Sequence, residues 1–285
     1  LDGILQSFLF ACSFIGGILL FEVLVNPIRI EERRGLQRIQ GSFGDVVSYG
    51  MYITFAISAA TYFYFARNHV VAQKKRVILV GVVAFFGILG LLNIHHTATY
   101  TVFLIITALF LLFNFRKGSP ALGFVMIIIV GIGISYFGSS IVDEKIAPLI
   151  ETDLAVYSGE LDTDRLLHGR VGRWRVMLEK FSSESVPVQF FGYPLKFDYV
   201  FQFIGIGSHN DFIRMLFATG ILGLILYIRM LFMFFRRSIL LGPAQRFLLY
   251  ATFAALLFYS ISVTPTFYAP FMYFTMAVFA YTVLP

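Results

Sequence analysis

The sequence predicts an all-α fold, a polytopic helical membrane protein with about eight spans, because its apolar runs are long enough to cross a bilayer as helices. Of its 285 residues, 58% are hydrophobic and only 13% are charged. Soluble domains carry roughly twice that share of charge. Backbone groups in lipid need partners within their own segment, and the runs lack the alternation of barrel strands. Helices are therefore expected.

The expected spans follow one another with short polar connections, apart from one long loop at residues 143–208. The spans lie near Leu5–Val25, Val46–Ala66, Val77–Leu92, Tyr100–Phe115, Ala121–Val142, Phe212–Phe235, Phe247–Val263 and Phe267–Leu284. We interpret residues 1–285 as a single membrane domain. Because the chain begins and ends beside apolar runs, we expect it to be a fragment that lacks flanking spans.

The charged residues predict the orientation. Loops after the second, fourth and sixth spans carry Lys and Arg without acidic residues, so they are expected to face the cytoplasm. The long loop then faces outward, and it holds ten of the sixteen acidic residues. The net charge of +6 is interpreted as orientation and lipid contact, not nucleic-acid binding. The first outer loop departs from the rule with an excess of arginines, which favours anion binding there: Arg29, Arg33, Arg34 and Arg38.

Within the long loop, Asp164–Phe181 predicts an amphipathic helix at the membrane interface. Five apolar residues recur at helical spacing and are expected on one face: Val171, Trp174, Met177, Leu178 and Phe181. Arg170 and Arg173 lie beside that face. On residue types alone, anchoring to lipid headgroups is favoured over catalysis for this helix.

Ser208-His209-Asn210-Asp211 opens the sixth expected span. Ser208 or Asn210 can cap the helix, and Asp211 suits its positive end. His209 then lies at the water–lipid boundary, where it can accept a proton or hydrogen-bond the loop. Arg214, just inside the span, needs a polar cavity or a partner.

Metal binding receives little support. Asp162-Thr163-Asp164 is a short carboxylate pair, adjacent His95 and His96 point two ways on a helix, and Cys12 is the only cysteine. We expect no metal and no cofactor.

Four motifs in order resemble the O-antigen ligase and O-antigen polymerase superfamily of bacterial envelope proteins. They are Arg38 to Phe43 before a span, a short outer loop, Gly169 to Trp174, and His209 to Ile213 running into Gly220-Ile221-Leu222-Gly223. The family's short loop reads Ser-Arg, where this chain has His95-His96-Thr97. The resemblance covers almost the whole chain.

The resemblance implies an envelope glycan transferase of lipopolysaccharide or exopolysaccharide biosynthesis in the bacterial inner membrane, with an extracytoplasmic active face. A glycan moves from a polyprenyl-pyrophosphate donor to an acceptor hydroxyl, without a metal. Carried over, Arg38 and Arg170 neutralise the leaving group, and His209 is the general base. We add substrate-binding roles for Trp174 and for these residues: Arg173, Arg214 and His96.

Alternatives from other classes remain. A polysaccharide or lipid-linked sugar transporter or flippase would need ionisable residues in its spans, for which Glu22 and Arg229 are candidates near span ends where they can snorkel. A metal-dependent transferase would use Asp162 and Asp164. A scaffold without chemistry leaves the outward arginines unexplained. Polymerase and ligase differ in their acceptor, which the sequence does not identify.

Overall fold

The computed structural model describes residues 2–25, 30–33, 36–39, 46–66, 81, 87, 90, 93–94, 96–115, 155–156, 158–162, 166–193 and 208–283. The described elements are helices and one two-stranded hairpin. In chain order they are α1 (Asp2–Leu24), β1 (Ile30–Arg33), β2 (Leu36–Ile39), α2 (Val46–Phe65), α3 (Thr97–Phe115), α4 (Leu166–Ser182), α5 (Val186–Phe191), α6 (Asp211–Arg237), α7 (Pro243–Ser262) and α8 (Ala269–Val283). Short 3-10 turns at Ser238–Leu240 and Pro265–Phe267 flank α7. The helical class is confirmed.

Among the described residues, three helices are long and apolar enough to cross a membrane: Val46–Phe65, Asp211–Leu240 and Pro243–Ser262. Shorter apolar helices cover Ser7–Glu22, Ala98–Phe113 and Phe271–Tyr281. Together they correspond to six of the expected spans. The expected span at 121–142 lies outside the described residues, and within 77–92 only residues 81, 87 and 90 are described. The full set of eight stays a prediction.

The chain forms two compact units, residues 1–113 with 230–285 and residues 114–229. Helix α6 contributes to both, since the boundary falls after Arg229. Each unit is described by itself below, and the interpretation of the chain as one membrane domain stays a prediction. Much of the long loop at 143–208 lies outside the described residues.

In the first unit, α2 packs against α1, α7 and α8. Large aromatic rings fill these contacts. Phe55 of α2 stacks on Phe274 of α8 with ring centroids 4.1 Å apart, and Phe65 meets Phe247 of α7 at 5.2 Å. Aromatic pairs add to the energy of burial through their ring electrostatics, so these contacts favour one arrangement of the helices.

The connection between α6 and α7 is fixed by Arg246. Its guanidinium donates hydrogen bonds of 3.0 Å to the carbonyl oxygens of Ser238, Ile239 and Leu241. Carbonyls at the end of a helix lack partners within the helix, and a basic side chain there satisfies them. Arg246 thus has a structural role as well as the topological role expected from its charge.

The hairpin between α1 and α2 was not predicted. Strands β1 and β2 pair antiparallel, with Arg38 opposite Glu31 and Arg33 opposite Leu36. The sequence carried a signal, because Arg34-Gly35 supplies a two-residue connection ending in glycine, which is typical of tight hairpins.

The second unit contains the predicted amphipathic helix, which is α4. Its Met177 and Phe181 are buried against Ile213 and Phe217 of α6, and the Trp174 ring packs at the edge of this cluster. One member of the expected apolar face departs from it, because Leu178 is 47% exposed. The buried face of α4 contacts protein, and this contact positions α4 along the first two turns of α6.

Two of the glycines with positive φ in the second unit meet where the end of α5 contacts α6. Gly220 interrupts α6 with φ 66° and ψ −173°, and Gly192 ends α5 with φ 69° and ψ −159°. Only glycine adopts this region readily. A Cβ on Gly192 would lie 2.5 Å from the Gly220 nitrogen, and a Cβ on Gly220 would collide with the Phe190 carbonyl. The expected continuous span at 212–235 is therefore two helical segments whose junction admits the end of α5.

Candidate active site

The second unit brings together two motifs that are distant in sequence. Trp174 of α4 donates its indole Nε1–H to the carbonyl oxygen of Ser208 at 3.0 Å, across 34 residues of chain. The apolar cluster of Met177 and Phe181 holds the two elements side by side. The tryptophan of the Gly169–Trp174 motif thus positions the turn that carries His209. An anchoring role alone would not require this bond.

Asn210 caps α6. Its side-chain Oδ1 accepts hydrogen bonds from the backbone N–H groups of Phe212 at 3.0 Å and Ile213 at 3.2 Å. The Ser208 hydroxyl donates to the Asn210 carbonyl at 3.0 Å, which braces the cap from the preceding side. Of the two capping candidates, Asn210 satisfies the helix and Ser208 supports Asn210.

His209 lies between two buried polar residues and is itself exposed. Its φ is 46°, in the left-handed region that residues other than glycine enter infrequently, although histidine is among those enriched there. Such backbone conformations persist only where the surroundings impose them, and they concentrate at functional sites. Here the hydrogen bonds of Ser208 and Asn210 hold the turn on either side of the exposed His209.

Arg170 stands one helical turn before Trp174 on α4. On this face of α4, Met177 and Phe181 pack against α6, and Trp174 donates a hydrogen bond to Ser208. Arg170 lies on the same face, one turn closer to the N-terminus of the helix. Arg170 and Arg173 are both half-buried. Gly169 has φ 74°, so the residue before Arg170 occupies a backbone region suited to glycine. Arg170 therefore lies one turn beyond Trp174 on the face of α4 that contacts α6 and Ser208.

Arg214, which was expected to need a polar partner because it lies within the span, forms an ion pair with Asp211. Its Nε lies 3.2 Å from Oδ1 of Asp211, and the two side chains are 11% and 0% exposed. Asp211 also begins α6, where the helix dipole favours a carboxylate. The Asp211 carboxylate therefore neutralises the Arg214 charge near the start of the span. The ion pair also holds the Arg214 side chain beside the 208–211 turn.

In the first unit, His96 belongs to a network of hydroxyl groups. Its Nδ1 lies 2.8 Å from the Thr99 hydroxyl, which lies 2.9 Å from the Tyr259 hydroxyl. The His96 and Tyr259 rings are nearly parallel, with centroids 6.3 Å apart. Sequence analysis missed Thr99 and Tyr259. The available signal was that a hydroxyl within an apolar helix must find a partner.

Arg38 is placed on β2 of the first unit, directly opposite Glu31. His95 and the remainder of the Arg38 to Phe43 motif from residue 40 lie outside the described residues. Of the proposed metal pair, Asp162 is exposed and Asp164 is outside the described residues. The described part of the chain contains no group of three potential metal ligands.

Comparison of the chain with models of known protein families found no match, and neither did comparison with curated protein sequences. Membership of the O-antigen ligase and polymerase superfamily therefore stays a prediction that rests on the four sequence motifs. Within the described residues, two of these motifs meet in one unit through Trp174 and Ser208.

Proposed function

We propose that this protein is an envelope glycan transferase of the bacterial inner membrane, which moves a glycan from a polyprenyl-pyrophosphate donor to an acceptor hydroxyl. The observation that carries the proposal is the Trp174–Ser208 hydrogen bond, because it holds the arginine-bearing face of α4 beside the His209 turn. A transfer of this kind needs positive charge at the departing pyrophosphate and a proton acceptor at the attacking hydroxyl.

Arg170 supplies the positive charge in this proposal. A guanidinium binds phosphate through two parallel hydrogen bonds and keeps its charge at every physiological pH. His209 accepts the proton of the acceptor hydroxyl, for which an exposed imidazole on a hydrogen-bonded turn is suited. The resemblance gives Arg38 the same role as Arg170, and we assign substrate-binding roles to Arg173, Trp174 and Arg214. The chemistry requires no metal or cofactor, and the site faces the extracytoplasmic side.

The test compares Arg170→Ala and His209→Ala with Arg175→Ala, an exposed arginine on the same helix. In cells that depend on this protein for surface glycan, the first two variants abolish the glycan while protein level and membrane insertion stay normal. The Arg175 variant keeps it. Loss of one group that stabilises the transition state costs on the order of 100-fold in rate. Normal glycan in both site variants would refute the assignment.

A second candidate, transport of a lipid-linked sugar without transfer, is favoured by Glu22. This residue was expected to snorkel, but it is 1% exposed, and within the described residues neither carboxylate oxygen has a hydrogen-bond partner. Buried ionisable groups in membrane helices often mark ion pathways. Uptake of labelled lipid-linked sugar into proteoliposomes, lost in Glu22→Gln and unaccompanied by transfer, would establish this candidate in place of the transferase.

A further inference from the structure

The exposed face of α5 is apolar, and the single polar side chain of this helix turns back towards the protein. Val186, Phe190 and Phe191 are 65%, 52% and 62% exposed, and Pro187 is exposed beside them. Side chains three and four residues apart share a helical face, so these four form one apolar stripe. Gln189, in contrast, is half-buried. A helix that faces water has the opposite arrangement, with its polar side chains outside.

The turn between α4 and α5 satisfies its polar groups from within the protein. Gln189 donates hydrogen bonds from Nε2 to the carbonyl oxygens of Ser182 at 2.9 Å and Glu184 at 2.8 Å. The hydroxyls of Ser182 and Ser183 each donate to the carbonyl three residues earlier, at 2.8 Å. Polar groups beside lipid must find partners in the protein, because hydrocarbon offers none. These groups have such partners and can therefore lie next to a bilayer.

The stripe on α5 adjoins the exposed apolar face of α6. Residues 211–220 of α6, all of which the structure describes, are buried or half-buried. Directly after the break at Gly220, a series of exposed apolar residues begins: Ile221, Leu222, Ile225, Leu226 and Ile228. The end of α5 lies at the same point, since a Cβ on Gly220 would collide with the Phe190 carbonyl. Because α6 is long and apolar enough to cross a membrane, the two exposed surfaces form one candidate lipid-facing surface.

We infer that the apolar stripe of α5 contacts the acyl chains of the lipid bilayer, beside the exposed face of α6. Exposed aromatic and branched side chains are stabilised when they leave water for hydrocarbon. The sequence predicted lipid anchoring for α4, but Trp174, Met177 and Phe181 of that helix face protein. The anchoring is thus assigned to α5, whose six residues are too few to show a helical period in the sequence. This contact is independent of the proposed transfer chemistry.

The contact also sets the distance of the candidate site from the hydrocarbon. Asp211 precedes Gly220 by nine residues, which is at most about 14 Å of helix at a rise of about 1.5 Å per residue. Since the exposed apolar surface begins after Gly220, the 208–211 turn lies on the side away from the acyl chains. The headgroup layer of one leaflet is roughly 5–8 Å thick. The turn that carries His209 is therefore within or just above the headgroups.

Site-directed spin labelling tests the contact in the full chain, reconstituted into liposomes of phosphatidylcholine and phosphatidylglycerol. The background variant is Cys12→Ala, which removes the only cysteine. Single variants Phe190→Cys and Phe191→Cys then carry a nitroxide, and its relaxation by lipid-soluble oxygen is compared with relaxation by a water-soluble nickel chelate. Ile225→Cys on the exposed face of α6 is the lipid reference, and Glu179→Cys on α4 is the water reference. All four labelled side chains are exposed, so the labels leave the packing intact.

The expected result is that oxygen relaxes the labels replacing Phe190 and Phe191 more than the nickel chelate does, as at Ile225, while the order is reversed at Glu179. Relaxation of both α5 labels chiefly by nickel would show that the stripe faces water and would overturn the inference. Weak relaxation by both reagents would overturn it as well, because protein then covers the stripe. In that case broadening by a neighbouring spin would identify the covering protein as a second copy of this chain.

Discussion

The ion pair of Asp211 and Arg214 shows how single side chains hold the candidate site in place. Both are buried in the first turn of α6, beside the residues that cap it. A buried pair contributes little net stability over apolar replacements, yet removing one partner leaves the other charge unpaired away from water. The pair therefore constrains the geometry of the 208–211 turn more than it adds to the total stability.

We expect Asp211→Asn to lower the free energy of unfolding by about 3–5 kcal/mol, because the Arg214 charge stays buried without its carboxylate. The double variant Asp211→Asn with Arg214→Leu removes both charges and recovers most of that loss. Chemical denaturation in detergent micelles measures both. Equal destabilisation of the single and double variants would show that the Asp211–Arg214 pair is not what the single substitution disrupts.

The contact between the end of α5 and the break in α6 depends on two glycines with positive φ, Gly192 and Gly220. We predict that Gly220→Ala and Gly192→Ala each lower the free energy of unfolding by roughly 1–3 kcal/mol, the cost of placing a residue other than glycine in that backbone region. Collisions of the new Cβ with neighbouring backbone add to this loss. Gly17→Ala on α1 is the control, because nothing lies within 4 Å of a Cβ there. Thermal unfolding measures all three. Unchanged stability in Gly220→Ala would mean that α6 is continuous at this position.

The turn between α4 and α5 gives a pH-dependent contribution to stability. Hydrogen bonds from Lys180 and Tyr193 hold the pKa of Glu184 below its usual range, and Lys180 lies 2.7 Å from its carboxylate. A lowered pKa in the folded state means that this contribution is present above the unfolded value of about 4.3 and is lost as the pH falls through the folded value.

We therefore expect the stability of the unsubstituted protein to fall in that acidic range, and Glu184→Gln to be less stable at neutral pH with a smaller acid-dependent loss. Unfolding followed from pH 7 to roughly pH 3 separates the two proteins. Parallel curves for both would contradict a stabilising role for the Glu184 carboxylate. The effect is small, because ion pairs near the surface are screened by water.

Apolar patterning and capping were sufficient to predict much of the helical architecture. The amphipathic helix falls at α4 and the start of the sixth expected span at Asp211, as the residue spacing and the Ser208–Asp211 sequence indicated. The Gly220 break and the Trp174–Ser208 bond could not be predicted, since both depend on which distant backbone comes near. The hydrogen bonds of Tyr259 to Thr54 and Thr99 could not be predicted either, because the sequence of an apolar helix does not indicate which distant hydroxyls its tyrosine contacts.

At the scale of the whole molecule, each unit of this apolar helical chain contains a group of hydrogen-bonded polar side chains. In one unit they form the Trp174-supported turn that carries His209, and in the other the hydroxyl network that includes His96. Polar groups buried in apolar helices are costly unless they are bonded, and these hydrogen bonds offset that cost in both groups.

The central claim is tested most directly by glycan transfer with the purified full-length protein in detergent, using a polyprenyl-pyrophosphate-linked oligosaccharide donor, with and without a chelator. The account predicts transfer that resists the chelator and falls on the order of 100-fold or more in His209→Ala, while Arg175→Ala stays active. Transfer that persists unchanged in His209→Ala, or that requires an added metal ion, would contradict it.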